Sequence, residues 1–220
     1  MKIVIDKIEK KMKGNSVLRG ISCELESGNI YGIYGEKGAG KTMLLKCILG
    51  LIHPTSGSIM IDGKQLGKAL DFPESVGAVM ENPSFIPYAT GFDNLKRIAA
   101  IKGQIGNEEI DRALKRIGLD AKDERQVSKY SRQQLQQLTI AQAIMESPEL
   151  LVFDEPAREL DEERVQLFHR LLFEEVQRGA LVILCSDSVE VNLLSDIRIQ
   201  MKEGKIQRFD KRDWEGKWEE

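Results

Sequence analysis

The chain has 220 residues, 41% of them hydrophobic and 30% charged, enough apolar material for one sizeable core in an ordinary globular protein. Its formal net charge of −3 comes without a long basic block, so no nucleic-acid-binding surface is expected. The apolar stretches are too short to cross a bilayer, the start MKIVIDKIEK lacks the layout of a secretory leader, and Cys23, Cys47 and Cys185 are unpatterned, which together point to a cytoplasmic protein with reduced, mostly buried thiols.

In chain order, residues 2–8 alternate like a strand, and Val17-Leu18 with Ile21–Leu25 reads as a second, with Gly14 and Gly28 marking turns. The apolar run Ile30–Tyr34 leads through a glycine-rich loop into a helix beginning near Met43 and closing near Gly50. A turn at His53–Gly57 precedes a strand over Ser58–Asp62, which ends in the turn signal Asp62-Gly63. Val76–Met80 reads as a buried strand, and Phe92–Ile101, Glu108–Ile117 and Ser131–Met145 as helices. Pro148 stops the last of these before Leu150–Phe153, an unbroken apolar run of the kind buried on both faces of a sheet. Asp161–Arg178 is a long amphipathic helix closed by Gly179, Leu181–Cys185 another buried strand, Val189–Leu194 a short helix, and Ile197–Met201 with Lys205–Phe209 a hairpin across Glu203-Gly204. Strands alternating with helices predict an α/β fold with a mainly parallel sheet, into which a helical block is inserted.

Gly35-Glu36-Lys37-Gly38-Ala39-Gly40-Lys41-Thr42 fits G-x-x-x-x-G-K-[ST] and stands between a strand and a helix, where that pattern binds phosphate. Glycines let backbone N–H groups curl around phosphate oxygens, and the helix that follows points its positive end at the anion. Lys41 would reach the β/γ-phosphates and Thr42 would offer its hydroxyl to Mg²⁺. Leu150–Phe153 then ends in Asp154-Glu155-Pro156, two carboxylates at a strand terminus. Asp154 is placed to hold Mg²⁺, and Glu155 to polarise an attacking water as general base. The alternative at each place is structural: a glycine-rich turn without ligand, and a strand ending in a surface Asp-Glu turn.

With these two boxes in place, the chain resembles the nucleotide-binding subunit of an ABC transporter over residues 2–209. The resemblance extends through Ser22–Gly32, Leu49-Gly50-Leu51 and Pro54–Ile59. Gly77–Pro83 and Tyr130-Ser131 resemble bacterial exporters of antimicrobial peptides, including lantibiotic and bacitracin-type self-protection systems. It implies a P-loop NTPase of the ABC ATPase type: residues 1–209 form an ATP-binding domain with an antiparallel N-terminal β-subdomain and a helical subdomain inserted at about 83–145, and 210–220 a tail carrying Trp214 and Trp218. Gly35 to Met43 would hold ATP, with Met43 replacing a common threonine. Glu81, where most members carry the Q-loop glutamine, would sense the γ-phosphate and approach the metal.

The same resemblance exposes departures. The signature loop, Leu-Ser-Gly-Gly-Gln in the family, here corresponds to Tyr130-Ser131-Arg132-Gln133-Gln134. Ser131 and Gln134 survive as residues that would touch the partner cassette's ATP, and a plain helix start with Ser131 as N-cap is an equal alternative. Ser186-Asp187-Ser188 stands where the switch histidine belongs, so Asp187 faces the catalytic site as an anion, and neither His53 nor His169 is placed to substitute. Met12 or Lys13 occupies the region of the adenine-stacking aromatic, and only Leu160-Asp161 of the D-loop match. The implied partners are ATP, a second cassette in a homodimer or heterodimer, and a separate transmembrane permease, with the chain peripheral on the inner face of the cell membrane. Alternatives are a nucleotide-gated regulatory module with little hydrolysis and, more weakly, a small-molecule phosphotransferase.

Overall fold

The computed structural model describes residues 1–80, 84–187 and 195–211. Glu81, the helix expected over Val189–Leu194, and Trp214 and Trp218 lie outside the described residues. Apolar alternation builds β1 (Lys2–Met12) and β2 (Asn15–Glu26), with Ile3, Ile5, Ile8, Leu18, Ile21 and Leu25 turned into the core. β1 runs on past Ile8 because its charged end pairs with β2 across a two-residue turn, Met12 opposite Asn15, at an edge where polar side chains stay in water. A left-handed Lys7 (φ 46°) lies in the register shift that breaks strict alternation between Ile5 and Ile8.

β3 (Ile30–Tyr34) leads through the glycine-rich loop into α1 (Lys41–Ile48). β4 (Ser56–Ile61) and the short β5 (Lys64–Gln65), which sequence reading missed, close an antiparallel sheet in the order β2-β1-β4-β5. Asp62 and Gly63, both at positive φ, make the two-residue turn between them. After β6 (Val76–Val79) come α2 (Gly91–Lys102), α3 (Asn107–Arg116), a 3-10 turn at Val127–Lys129 and α4 (Arg132–Ile144). β7 (Leu150–Asp154), α5 (Glu162–Gln177), β8 (Leu181–Cys185), β9 (Ile197–Lys202) and β10 (Lys205–Lys211) complete the chain's described elements.

The second sheet runs β10-β9-β3-β8-β7-β6, parallel except for the antiparallel β9–β10 hairpin at one edge. Its central strands bury both faces, which is why they read as unbroken apolar runs. Leu150, Val152, Leu181 and Ile183 join a core shared with α1 and the antiparallel sheet. Leu151, Phe153, Val182 and Leu184 face α2–α5, where Phe153 meets Phe168 edge-on at 5.2 Å between centroids. The helical block therefore packs on one face of a sheet whose other face carries the N-terminal strands. Among the described residues no helix is long and apolar enough to cross a membrane. Burial pushes the Cys23 thiol up to about 12, Cys47 to about 11 and Cys185 well above its usual value, the direction that disfavours the thiolate.

Strand register decides what shares the site. Ile33 of β3 lies opposite Cys185 of β8, and Cys185 lies opposite Asp154 of β7. Parallel neighbours about 4.8 Å apart thus deliver the glycine-rich loop, Ser186-Asp187 and Asp154-Glu155 to one rim. That rim, at the carboxyl ends of the strands, is where open α/β sheets bind ligands.

Candidate functional site

The glycine-rich loop is shaped by contacts that exclude a side chain. A Cβ on Gly35 (φ 152°) would lie 2.1 Å from the Met201 carbonyl oxygen of β9. Gly40 caps α1 in the left-handed region at φ 101°, and a Cβ there would press on Val17 O and Leu18 Cδ2 at 3.0 Å. No side chain caps α1, so its first N–H groups are left to an anion approaching along the helix axis. The loop is steadied by Ala39 N donating to Glu36 O and Gly204 N donating to Ala39 O, both at 3.0 Å.

Lys41 opens α1 only 7% exposed. Its ammonium donates to Gly35 O at 2.6 Å and Glu36 O at 3.3 Å, and pairs with Asp187 Oδ1 at 2.5 Å. The next residue, Thr42, donates from Oγ1 to Asp154 Oδ2 at 2.7 Å across the gap between α1 and β7. Met43 is half-buried against the core behind the loop.

Glu155 leaves β7 in the left-handed region at φ 50°, an uncommon conformation for a residue with a Cβ that costs about 1–3 kcal/mol. The surroundings hold it there. Its N–H donates to Cys185 O at 2.8 Å, its Oε2 accepts from Ser186 Oγ at 3.1 Å, and its Oε1 accepts from the Asp187 N–H at 2.9 Å. Burial raises the Glu155 carboxyl above its ordinary pKa, with the Asp187 charge adding to the rise and the Asp187 amide opposing it. That is the direction that makes a carboxylate a better base near neutral pH.

A cleft of about 560 Å³ is lined by Lys37, Gly38, Gly40, Lys41, Thr42, Met43, Asp154, Glu155 and Asp187. Gly35 and Glu36 stand beside it through their carbonyls on Lys41, and Ala39 is buried behind the loop. Val17, Lys46 and Arg158 also line the cleft, and with Ser186 they are what sequence reasoning left out of the site. Only Ser186 carried a signal, its place directly after a buried strand next to β7. A larger open groove of about 900 Å³ lies along α3, among Phe92, Asp111, Arg112 and Lys115, away from this chemistry.

Ser131 and Gln134 do not line the cleft; they form a reciprocal cap on α4. Ser131 Oγ accepts from Gln134 N, and Gln134 Oε1 accepts from Ser131 N, each at 3.1 Å. The start of α4 is also tied to the segment after Glu155, with Gln133 Nε2 donating to Asp161 Oδ2 at 3.0 Å and Gln136 Nε2 to Pro156 O at 2.9 Å. Neither histidine joins the cleft. His53 lies against Gly67, and His169 sits half-buried on α5.

Comparison with known proteins gives a consistent picture. The ABC transporter family profile matches residues 18–158. The chain is 42% identical over 205 residues to YybJ of Bacillus subtilis (strain 168), described as an uncharacterized ABC transporter ATP-binding protein, covering 93% of this chain and 94% of that one. It is 31% identical over 207 residues to the bacitracin transport ATP-binding protein BcrA of Enterococcus faecalis, covering 93% of this chain and 67% of that protein. Among solved structures, the dimeric bacterial ABC transporter cassette MJ0796, also solved in a post-hydrolysis state bound to ADP and Pi, superposes with a TM-score of 0.85 at 22% identity over 95% of this chain and 98% of its own.

Proposed function

Because the chain belongs to the ABC transporter family of ATP-binding subunits, we propose that its cleft binds Mg-ATP at Gly35–Met43 and Asp154, and that Glu155 drives hydrolysis as general base. The observation that carries this reading is the junction of three strand ends. Thr42 hydrogen-bonds Asp154 at 2.7 Å, and Glu155, the next residue, is braced by Ser186 and Asp187 in a cleft that also holds Lys41. Lys41 would neutralise the β/γ-phosphates and the uncapped start of α1 would add backbone N–H groups.

The donor set suits a hard cation: the Thr42 hydroxyl and the Asp154 carboxylate would hold Mg²⁺, its other ligands being phosphate oxygens and water, as Mg²⁺ prefers. When bound, the ion would neutralise charge on the phosphates. Water next to the γ-phosphate would lose its proton toward a Glu155 Oε atom, which the raised pKa equips it to accept. On this reading Glu81 would sense the γ-phosphate and approach the metal, within a 1–209 ATP-binding domain that carries a helical block at about 83–145 and is followed by the 210–220 tail.

Ser131 and Gln134 cap α4 outside their own chain's cleft, which suits a role across a homodimer or heterodimer of cassettes, where a second copy's signature loop would close the phosphate site. The chain would act at the inner membrane face through a separate permease, and the similarity to BcrA supports export or self-protection against antimicrobial peptides.

A second reading, a regulatory cassette or heterodimer partner that binds ATP with little turnover, is favoured by Asp187 in place of a histidine and by Arg132 and Gln133 in place of the signature glycines. The ATPase rate of the chain and of a Glu155→Gln variant, alone and with the permease, decides between them. Loss of a general base slows hydrolysis about 10²–10⁴-fold; a parent no faster than the variant favours the regulatory cassette.

A further inference from the structure

Lys41 carries three N–H donors, and all three are taken within the chain: by Gly35 O, Glu36 O and Asp187 Oδ1. Two of those acceptors are carbonyls of the phosphate loop itself. The third is a side chain that is 56% exposed, while the Lys41 side chain is 8% exposed. A phosphate oxygen arriving at Lys41 therefore competes with Asp187, the charged acceptor of the three, whose exposed side chain is free to return to water.

We propose that Asp187 is an affinity-determining residue of the nucleotide site, a built-in rival anion that a nucleotide's β- and γ-phosphates must displace from Lys41. The inference rests on the reading of Gly35–Met43 as the nucleotide site. Two effects act in one direction: the Lys41–Asp187 ion pair is lost on binding, and the freed carboxylate stays near phosphate oxygens of like charge. Residue 187 also holds Glu155 Oε1 through its backbone N–H at 2.9 Å, so displacement of its side chain bears on the residue that braces the general base. Discrimination follows as well. The penalty falls on ligands that reach Lys41, so it is largest for a triphosphate, smaller for a diphosphate and absent for a monophosphate.

The test is calorimetric titration of MgATP, MgADP and AMP into the full chain, its Asp187→Asn and Asp187→Glu variants, and Lys41→Ala as the control on the site. Asn keeps the size and backbone N–H of Asp without the charge, and Glu keeps the charge. Loss of an ion pair between the rim-exposed range and a charge-assisted bond to a buried ammonium predicts roughly tenfold tighter MgATP binding for Asp187→Asn. MgADP should gain less, AMP should not change, and Asp187→Glu should stay near the parent. Thermal melting checks that each variant folds, with Asp187→Ala as the second neutral replacement. Equal MgATP affinity for parent and Asp187→Asn, with Lys41→Ala abolishing binding, overturns the rivalry and leaves the site standing. A rise shared by Asn and Glu overturns it too, since charge would not be the cause. If neither the parent nor any neutral variant binds MgATP, the site assignment falls and the rivalry with it.

Discussion

Glu175 is the clearest place to test the energetics that hold the helical block to the sheet. It sits on α5 with its side chain 2% exposed, between two guanidinium groups. Its Oε1 accepts from Arg116 Nη1 at 2.6 Å, at the end of α3. Its Oε2 accepts from Arg178 Nη2 at 2.5 Å and Nε at 3.2 Å, and Arg178 is fixed further by the Ser147 and Pro148 carbonyls. In Glu175→Gln the single amide oxygen can serve Arg178 or Arg116 but not both. Turned to Arg178, it leaves its NH₂ facing Arg116 Nη1, donor against donor. One charge-assisted bond, about 1.5–3 kcal/mol, is lost outright, and the two from Arg178 keep a charged donor but lose the charged acceptor, about 1 kcal/mol each. The sum, about 3–5 kcal/mol, agrees with the usual cost of removing one partner from a buried ion pair. For a domain of this size that is a fall in Tm of about 6–20 °C. Urea unfolding followed by far-UV circular dichroism measures it, and combination with Arg116→Ala should show at least about 1 kcal/mol of coupling. A Glu175→Gln protein within about 0.5 kcal/mol of the parent, or strict additivity with Arg116→Ala, would refute the reasoning. The tie bears on function because Gln137 Nε2 bonds Ile117 O at 2.5 Å, linking the same corner to α4, whose first turn carries the Ser131 cap.

Three further outcomes are expected. Ser131→Ala should cost about 1 kcal/mol in urea unfolding through loss of the α4 cap, and a loss of ATPase far beyond the fraction unfolded would show that Ser131 also acts on nucleotide. Gly77→Ala should destabilise by about 3 kcal/mol, at the upper end for overpacking, because its Cβ would lie 1.8 Å from the Ala143 carbonyl of α4 and a backbone atom cannot swing aside; a neutral effect would mean that β6 and α4 are less closely packed. His169, whose Nε2 is buried without a hydrogen-bond partner among the described residues, has its pKa lowered by burial below the ordinary 6.5. The unfolded chain then takes up a proton first as pH falls below 6.5, so stability falls on acidification until the folded-state pKa is passed. Solvent reaching the half-buried ring keeps the slope well under about 1.4 kcal/mol per pH unit. His169→Leu should flatten the difference between melts at pH 7 and pH 5, and an unchanged difference would assign that dependence to carboxylates.

The phosphate loop, Asp154, Glu155 and nearly every helix and strand were legible in the sequence because each is written locally. Apolar periodicity marks which residues face a core, glycines mark where a chain turns or passes close to another backbone, and the short spacing from Gly35 to Thr42 fixes a loop without reference to the rest of the molecule. β5 escaped notice because Lys64-Gln65 carries no apolar pattern and pairs only where the Asp62-Gly63 turn returns it to β4. Ser131 was legible as an N-cap, while the reciprocal bond from Gln134 that completes a capping box is seen only in the side-chain geometry.

The sequence alone, then, marked the phosphate-loop pattern and most of the residues that line the cleft. By resemblance Asp187 corresponds to the family's switch histidine, but the sequence does not say what that carboxylate does. Only the tertiary structure brought Asp187 to Lys41 across 146 residues of chain, and Ser186 and the Asp187 amide to Glu155. The reason is register. Three parallel strands, ordered β3-β8-β7, must align Ile33, Cys185 and Asp154 before the residues after them can meet, and that alignment is set by burial on both faces of the sheet rather than by any local pattern.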